Sequence, residues 1–289
     1  MKIIDKFQND KTVFSFEIFP PKRTSPIETI YETLEQLSDL KPDFISVTYG
    51  TGSREDKYTT CEIATIIKEK YNVDPVAHLT CISSTKEDVV EVLGELRKSG
   101  IENILALRGD INPNIPIKED FKHASDLVEF IKKDYDFHVS GACYPETHGE
   151  ATSMVEDIIN LKKKVDAGAT HLMSQLFFDN NAFYSFLEKA RIAGINVPIE
   201  AGIMPVINKN QIERMVTMCG ASLPNKFVKM MQKYDGHPQA LRDAGIAYAI
   251  DQIVDLISNG VDGIHLYTMN NPYVARRITE SIGSLINVD

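Results

Sequence analysis

Short apolar runs rich in Val, Ile and Phe recur along the chain. Each gives way to a longer stretch whose apolar residues fall at helical spacing. The runs are TVFSFEIFP (12–20), FISVTYG (44–50), VAHLTCI (76–82), NILALRGD (103–110), FHVSGACYP (137–145), THLMSQLFF (170–178), VPIEAGIMP (197–205) and DGIHLYTMN (262–270). Between them lie amphipathic segments such as PIETIYETLEQLSDL (26–40) and TKEDVVEVLGELRKSG (85–100). In the second, Val89, Val92, Leu93 and Leu96 share one face, and Lys98, Ser99 and Gly100 make a basic last turn with a glycine stop. Eight strands alternating with helices pair in parallel, and eight such units close into a (β/α)8 TIM barrel. An open doubly wound sheet is the rival, but no GxGxxG follows any run, so the usual dinucleotide turn is missing. The long link 206–261 predicts two or three helices. With no linker, tandem repeat or low-complexity segment, residues 1–289 read as one domain.

Alternation along a strand sets which side chains point inward. In the first run Phe14, Phe16 and Ile18 share the face that meets the helices, while Val13, Ser15, Glu17 and Phe19 face the barrel interior. Glu17 therefore lies near the barrel mouth in partly apolar surroundings, either as a working acid or as half of a structural ion pair. Other runs also end in polar residues: Thr48 and Tyr49, His78, Arg108 and Asp110, Tyr144 with His148 just beyond, Gln175, and Tyr267 with Asn270. Burying unpaired polar groups costs roughly 1–3 kcal/mol each. So many on the rim where barrel enzymes do their chemistry point to a polar ligand site. In LRGD, Gly109 permits close backbone approach, Arg108 suits a phosphate and Asp110 sets a carboxylate beside it. In EDIINLKKKVDAGA (156–169), Asp157, Asn160 and Lys164 share a helix face, which is either solvated or grips an anionic cofactor.

Composition narrows the field. At 43% hydrophobic and 25% charged, the 289 residues suit an ordinary globular protein with a large core. A net charge of −10 with no basic stripe argues against a nucleic-acid partner. No apolar run approaches the ~20 residues that span a bilayer, and the charged start MKIIDKFQND is unlike a signal peptide. Cys61, Cys81, Cys143 and Cys219 lie far apart without a CxxC pair, which suggests neither disulfides nor a metal site and fits a reducing cytoplasm.

The segments FSFEIFPPK, SVTYGTGS, AHLTCI, NILALRGD, GACYPETHGEA, LKKKVDAGATHLMSQLFFD and AGIMPV occur in an order and spacing that resemble methylenetetrahydrofolate reductase of the short bacterial type. The resemblance runs from about residue 10 to about residue 270. It implies a barrel with non-covalent FAD, reduced by NADH or NADPH. The flavin then converts 5,10-methylenetetrahydrofolate to 5-methyltetrahydrofolate by ping-pong kinetics, in one-carbon and methionine metabolism.

The methylene carbon becomes a hydride acceptor once protonation at N10 opens its ring to an iminium. A carboxylic acid can donate that proton where apolar neighbours disfavour its charged form. By resemblance Glu17 is this acid, with Phe16, Ile18, Phe19 and Pro20 limiting its solvation. Asp110 matches the acid beside the flavin N1–O2 edge, where its charge lowers the reduction potential and stabilises the cationic iminium.

Thr48, His78, Arg108, Gly109, Tyr144, His148, Asp157, Asn160 and Lys164 match FAD-holding positions of the family. His123 and Ala124 stand where it commonly has Tyr-Ala, and Lys163 where a related pattern has Arg. Gln175 and Gln211 match folate contacts. Met215 replaces an aromatic that stacks on the substrate. Asn271 replaces a basic residue that holds the folate tail or the nicotinamide. These two departures leave open NADH or NADPH, and leave room for an electron-donor partner protein. Family members are commonly homo-oligomers.

Overall fold

Eight parallel strands close on themselves in chain order in the computed structural model, which describes residues 1–8, 11–21, 27–49 and 54–286. The side chains of 54–58, 209, 213, 214 and 218 are not described. Lys22 of the first motif and residues 50–53 of the second therefore lie outside the description. The strands are β1 (Val13–Ile18), β2 (Phe44–Val47), β3 (Asp74–Thr80), β4 (Asn103–Leu107), β5 (His138–Cys143), β6 (His171–Ser174), β7 (Ile199–Ile203) and β8 (Gly263–Tyr267). Around them run α1 (Glu28–Ser38), α2 (Arg54–Tyr71), α3 (Lys86–Lys98), α4 (Ala124–Asp134), α5 (Met154–Asp166) and α6 (Asn180–Ile192). The long link contributes three described helices, α7 (Lys209–Cys219), α8 (Asn225–Lys233) and α9 (Pro238–Ser258), before α10 (Pro272–Ile282) ends the barrel.

Each predicted run holds a strand, and the closed order excludes the open sheet. Thr48, Arg108, Tyr144 and Gln175 are each the first residue beyond a strand. The apolar runs overshoot because the chain stays buried as it turns out of the ladder into the βα loop. Helix starts follow local chemistry: Thr85 accepts from the Asp88 amide while Asp88 accepts back, Ser153 caps α5, and Asn208 caps α7.

The alternation expected for β1 is observed. Phe14, Phe16 and Ile18 join the large core between barrel and helices, with Leu34, Leu79 and Ile278 among its members. Val13 instead packs inside with Phe44, Val76, Leu105 and Met173, and Ile3 and Phe7 of the 3-10 helix Ile3–Gln8 join this cluster at the N-terminal end of the strands. Above it the interior turns polar. Ser15, Ser46, Ser140, His171, Glu200 and His265 are all buried there. Barrels of this kind are usually filled by branched apolar residues at these levels. A third cluster, Leu176, Phe178, Met204, Ile212 and Phe227, packs α7 and α8 over the ends of β6 and β7.

Candidate active site

Glu17 is level with Ser46 of β2 and Tyr267 of β8 in the ladder. Its backbone is pinned by the segment after β8. The Glu17 carbonyl accepts from the Thr268 hydroxyl at 2.7 Å, and the Asn270 side chain exchanges two hydrogen bonds with the backbone of Phe19, at 2.8 and 2.9 Å. The carboxylate, 7% exposed, lies between two imidazoles: Oε2 is 3.6 Å from His78 Nε2 and 3.6 Å from His265 Nε2. This corrects one expectation. Phe16 and Ile18 point away into the outer core, so the immediate neighbours of Glu17 are histidines rather than an apolar wall. Burial pushes the His78 pKa down to about 4 despite the opposing pull of Glu17, so His78 is neutral near pH 7.

A separate cavity of about 300 Å³ opens beside the ends of β4 and β5. From the β4–α4 side, Arg108, His123 and Ala124 line it; from the β5–α5 side, Tyr144, His148, Asp157, Asn160, Lys163 and Lys164 do. These are nine of the predicted cofactor residues. The α5 face read from the sequence is thus turned onto this cavity.

Lys164 is the group that most shapes it. A Cβ on Gly141 would stand 2.5 Å from Lys164 Cδ, so only glycine on β5 leaves room for this stem. The ammonium donates to the Ala142 carbonyl and, among the described residues, has no carboxylate partner within ion-pair distance. Burial lowers its pKa, with Cys143 and Asp157 opposing. Arg108 makes a two-pronged ion pair with Glu150, which holds the Glu150 carboxyl below its usual range. Asp157 accepts from the His148 amide at 2.8 Å, and the Tyr144 and His148 rings meet edge-on at 4.6 Å. The cavity therefore offers a desolvated cation, a displaceable guanidinium partner and aromatic surface, a set suited to a phosphate-bearing ligand.

Thr48, His78, Gly109, Asp110, Gln175, Gln211 and Asn271 do not line this cavity. Gly109 has φ +88°, and a Cβ there would stand 3.0 Å from Thr80 Cβ, so the close approach it permits is to β3. Asp110 is exposed on the loop after β4. The Tyr144 hydroxyl and the Cys219 thiol are raised first by burial and then by the Asp110 charge, while Tyr267 is raised by burial and then by Glu17, Cys219, Cys143 and Tyr144. The two acids thus bear on adjoining groups of one rim. Gln175 Oε1 accepts from the Leu176 amide, and Asn271 caps α10 through the Val274 amide. Gln211 Nε2 is buried with no acceptor among the described residues, in α7 beside the mouth cluster. Thr48 donates its amide to the Ile18 carbonyl just past Glu17.

Sequence reading missed Glu150, His265, Glu200 and His171. Glu200 and His265 are inward positions of β7 and β8, and the alternation that identified Glu17 finds them once the barrel register is known.

Comparison with known proteins identifies the lineage. The family model described as methylenetetrahydrofolate reductase matches residues 2–283. A 5,10-methylenetetrahydrofolate reductase of Pectobacterium carotovorum is 39% identical over 269 residues, covering 93% of this chain and 89% of its own. That of Escherichia coli K12 is 37% identical, covering 93% and 90%. Among solved structures, a Clostridium thermocellum protein described as binding two copies of 5-methyl-5,6,7,8-tetrahydrofolic acid superposes with TM-score 0.64 at 15% identity, covering 96% and 99%, a likeness of fold. No helix of the described residues is long and apolar enough to cross a membrane. The chain belongs to the methylenetetrahydrofolate reductase family and is an oxidoreductase.

Proposed function

We propose that this chain reduces 5,10-methylenetetrahydrofolate to 5-methyltetrahydrofolate, with FAD as bound cofactor and NADH or NADPH as the source of electrons, the two substrates using one mouth in turn. The residues present fit the cofactor. Lys164, whose ammonium donates to the Ala142 carbonyl and has no carboxylate partner among the described residues, and Arg108, whose carboxylate partner can be exchanged for phosphate, supply the cations a pyrophosphate needs. Tyr144 and His148 add aromatic surface in the same cavity. When bound, the flavin supplies the hydride. The chain's own part is to hold folate and nicotinamide beside it and to move one proton.

That proton is the task assigned to Glu17. The overall conversion takes up one proton per turnover, and N10 of the folate receives it as the ring opens. The backbone of Glu17 and Phe19 is held by Thr268 and Asn270, which sets where the Glu17 side chain starts at the mouth. Gln211, with a buried donor lacking an acceptor among the described residues, is assigned to the substrate. Asp110 is assigned to electrostatic control from the rim.

The observation that carries this reading is the presence, within one barrel of this family, of a cationic cavity at the ends of β4 and β5 and a buried acid near the end of β1. The experiment is anaerobic titration of the purified yellow protein. NADH or NADPH should bleach the flavin and methylenetetrahydrofolate should restore its colour. Colour that nicotinamide cannot bleach would instead assign electron delivery to a partner protein. A colourless protein that binds no FAD would overturn the reading.

A further inference from the structure

Below Glu17 the barrel interior holds a second, deeper carboxylate. Glu200 on β7 is 0% exposed, and no Lys or Arg pairs with it among the described residues. Space is made for it: a Cβ on Gly263 of β8 would stand 2.7 Å from Glu200 Cγ. A buried carboxylate is costly unless its charge is neutralised or bonded. Here the bonding runs toward the mouth. Glu200 Oε1 accepts from Ser15 Oγ at 2.8 Å, Ser15 Oγ lies 2.6 Å from His265 Nδ1, and His265 Nε2 lies 3.6 Å from Glu17 Oε2. Ser46 Oγ steadies the same imidazole nitrogen at 3.3 Å. On its other side Glu200 Oε2 is 3.2 Å from His171 Nε2 without a hydrogen bond between them, and His171 Nδ1 is 2.9 Å from Ser140 Oγ.

His78 and Tyr267 also face Glu17, and His138 faces His171, but none of them continues the chain. Among the described residues His78 Nε2 and both nitrogens of His138 lack hydrogen-bond partners, and the Tyr267 hydroxyl donates to the Ser174 carbonyl. Among the described residues the path inward from Glu17 passes through His265 and Ser15 to Glu200, and its first step, 3.6 Å from Glu17 to His265, is longer than a hydrogen bond and needs a small side-chain movement to close.

We propose that Glu200 is a proton reserve for Glu17, connected to it through Ser15 and His265. This rests on Glu17 being the acid of the folate half-reaction. Once Glu17 has given its proton to N10, it is a carboxylate enclosed under the ring-opened folate, and recharging it there draws the ring opening forward before hydride transfer. Ser15 first turns its hydroxyl from Glu200 to His265 Nδ1, so that Glu200 in its protonated form donates to Ser15, and three protons then each move one step. The Glu200 O–H bond breaks as a Ser15 O–H forms, the former Ser15 O–H breaks as His265 Nδ1–H forms, and His265 Nε2–H breaks as Glu17 Oε2–H forms. The negative charge passes from Glu17 to Glu200, where His171 stands beside it. Product departure opens the mouth to water, and a solvent proton returns along the same path in reverse. No electron changes hands, and one proton per turnover comes from solvent.

The test uses the FAD-loaded enzyme with Glu200→Gln and, as a second lesion of the same path, Ser15→Ala. Each half-reaction is followed by stopped flow in mixtures of light and heavy water. The expected result is flavin reduction by nicotinamide at the wild-type rate in both variants. The folate half-reaction should be slowed tenfold or more, and its rate should turn from a curved to a linear dependence on deuterium fraction. Equal slowing of both half-reactions with the wild-type curvature kept would mean packing alone and would overturn the proposal. Wild-type folate kinetics in either variant would overturn it as well. Glu17→Gln run alongside separates the two ideas. If that variant still reduces folate, the acid assignment itself fails; if it does not and the relay variants are unaffected, only the reserve fails.

Discussion

Replacing Lys164 with Met probes the cavity we assign to FAD with little disturbance of packing. Methionine reproduces much of the lysine stem that lies over Gly141, and it removes the ammonium. In the protein without cofactor the change has two opposed effects. The Ala142 carbonyl loses its donor, which costs about 1 kcal/mol, and the penalty of holding a desolvated ammonium disappears. Thermal stability of the cofactor-free protein should therefore stay within about 3 °C of wild type. Affinity for FAD should not. A hydrogen bond to a charged group contributes roughly 1.5–3 kcal/mol, so FAD should bind roughly 10–150-fold more weakly. Titration by quenching of flavin fluorescence measures this directly. Gly141→Ala makes the same lesion from the other side, since its Cβ would displace Lys164 Cδ from 2.5 Å and press on Leu172 Cδ2 at 3.3 Å. FAD affinity within twofold of wild type in Lys164→Met would refute the assignment of this cavity.

Two further consequences follow from charges on the rim and in the interior. If Asp110 acts on the flavin as proposed, Asp110→Asn should raise the flavin midpoint potential by roughly 20 mV, about 1 kcal/mol for a two-electron couple, and an unchanged potential in a dye-equilibration titration would speak against its role. His138 is buried, and burial, then His171, Lys132 and Lys2, lower its pKa to about 3. Between pH 6.5 and 3 the unfolded chain therefore binds a proton here that the native one does not, so stability falls as pH falls. His138→Asn removes this dependence, and the stability difference between wild type and variant should shift by roughly 2 kcal/mol against wild type from pH 7 to pH 5 in urea unfolding; a pH-independent difference would contradict it.

The barrel was legible because its evidence is local and periodic. The apolar runs, the alternation in VFSFEI and the glycine-stopped amphipathic segments each report their own element. The α5 face with Asp157, Asn160 and Lys164 was legible for the same reason, being a spacing within one helix. What the sequence hid depends on register between strands far apart in the chain. Ser15 meets Glu200 across 185 residues and His265 across 250, and nothing in either neighbourhood announces the partner. The surroundings of Glu17 were misjudged on these grounds: sequence neighbours on a strand point to the opposite face, and spatial neighbours come from β3 and β8. Arg108 read as a phosphate ligand without its carboxylate partner, because Glu150 lies on another loop.

The most direct measurement is the pair of half-reactions of Glu17→Gln, each followed anaerobically at the flavin. Glutamine keeps the shape between His78 and His265 and has no proton to give. FAD content and reduction by nicotinamide should match wild type, while reoxidation by methylenetetrahydrofolate should slow by roughly 10²–10⁴-fold, the usual contribution of a positioned acid. Reoxidation at a rate near that of wild type would contradict the account.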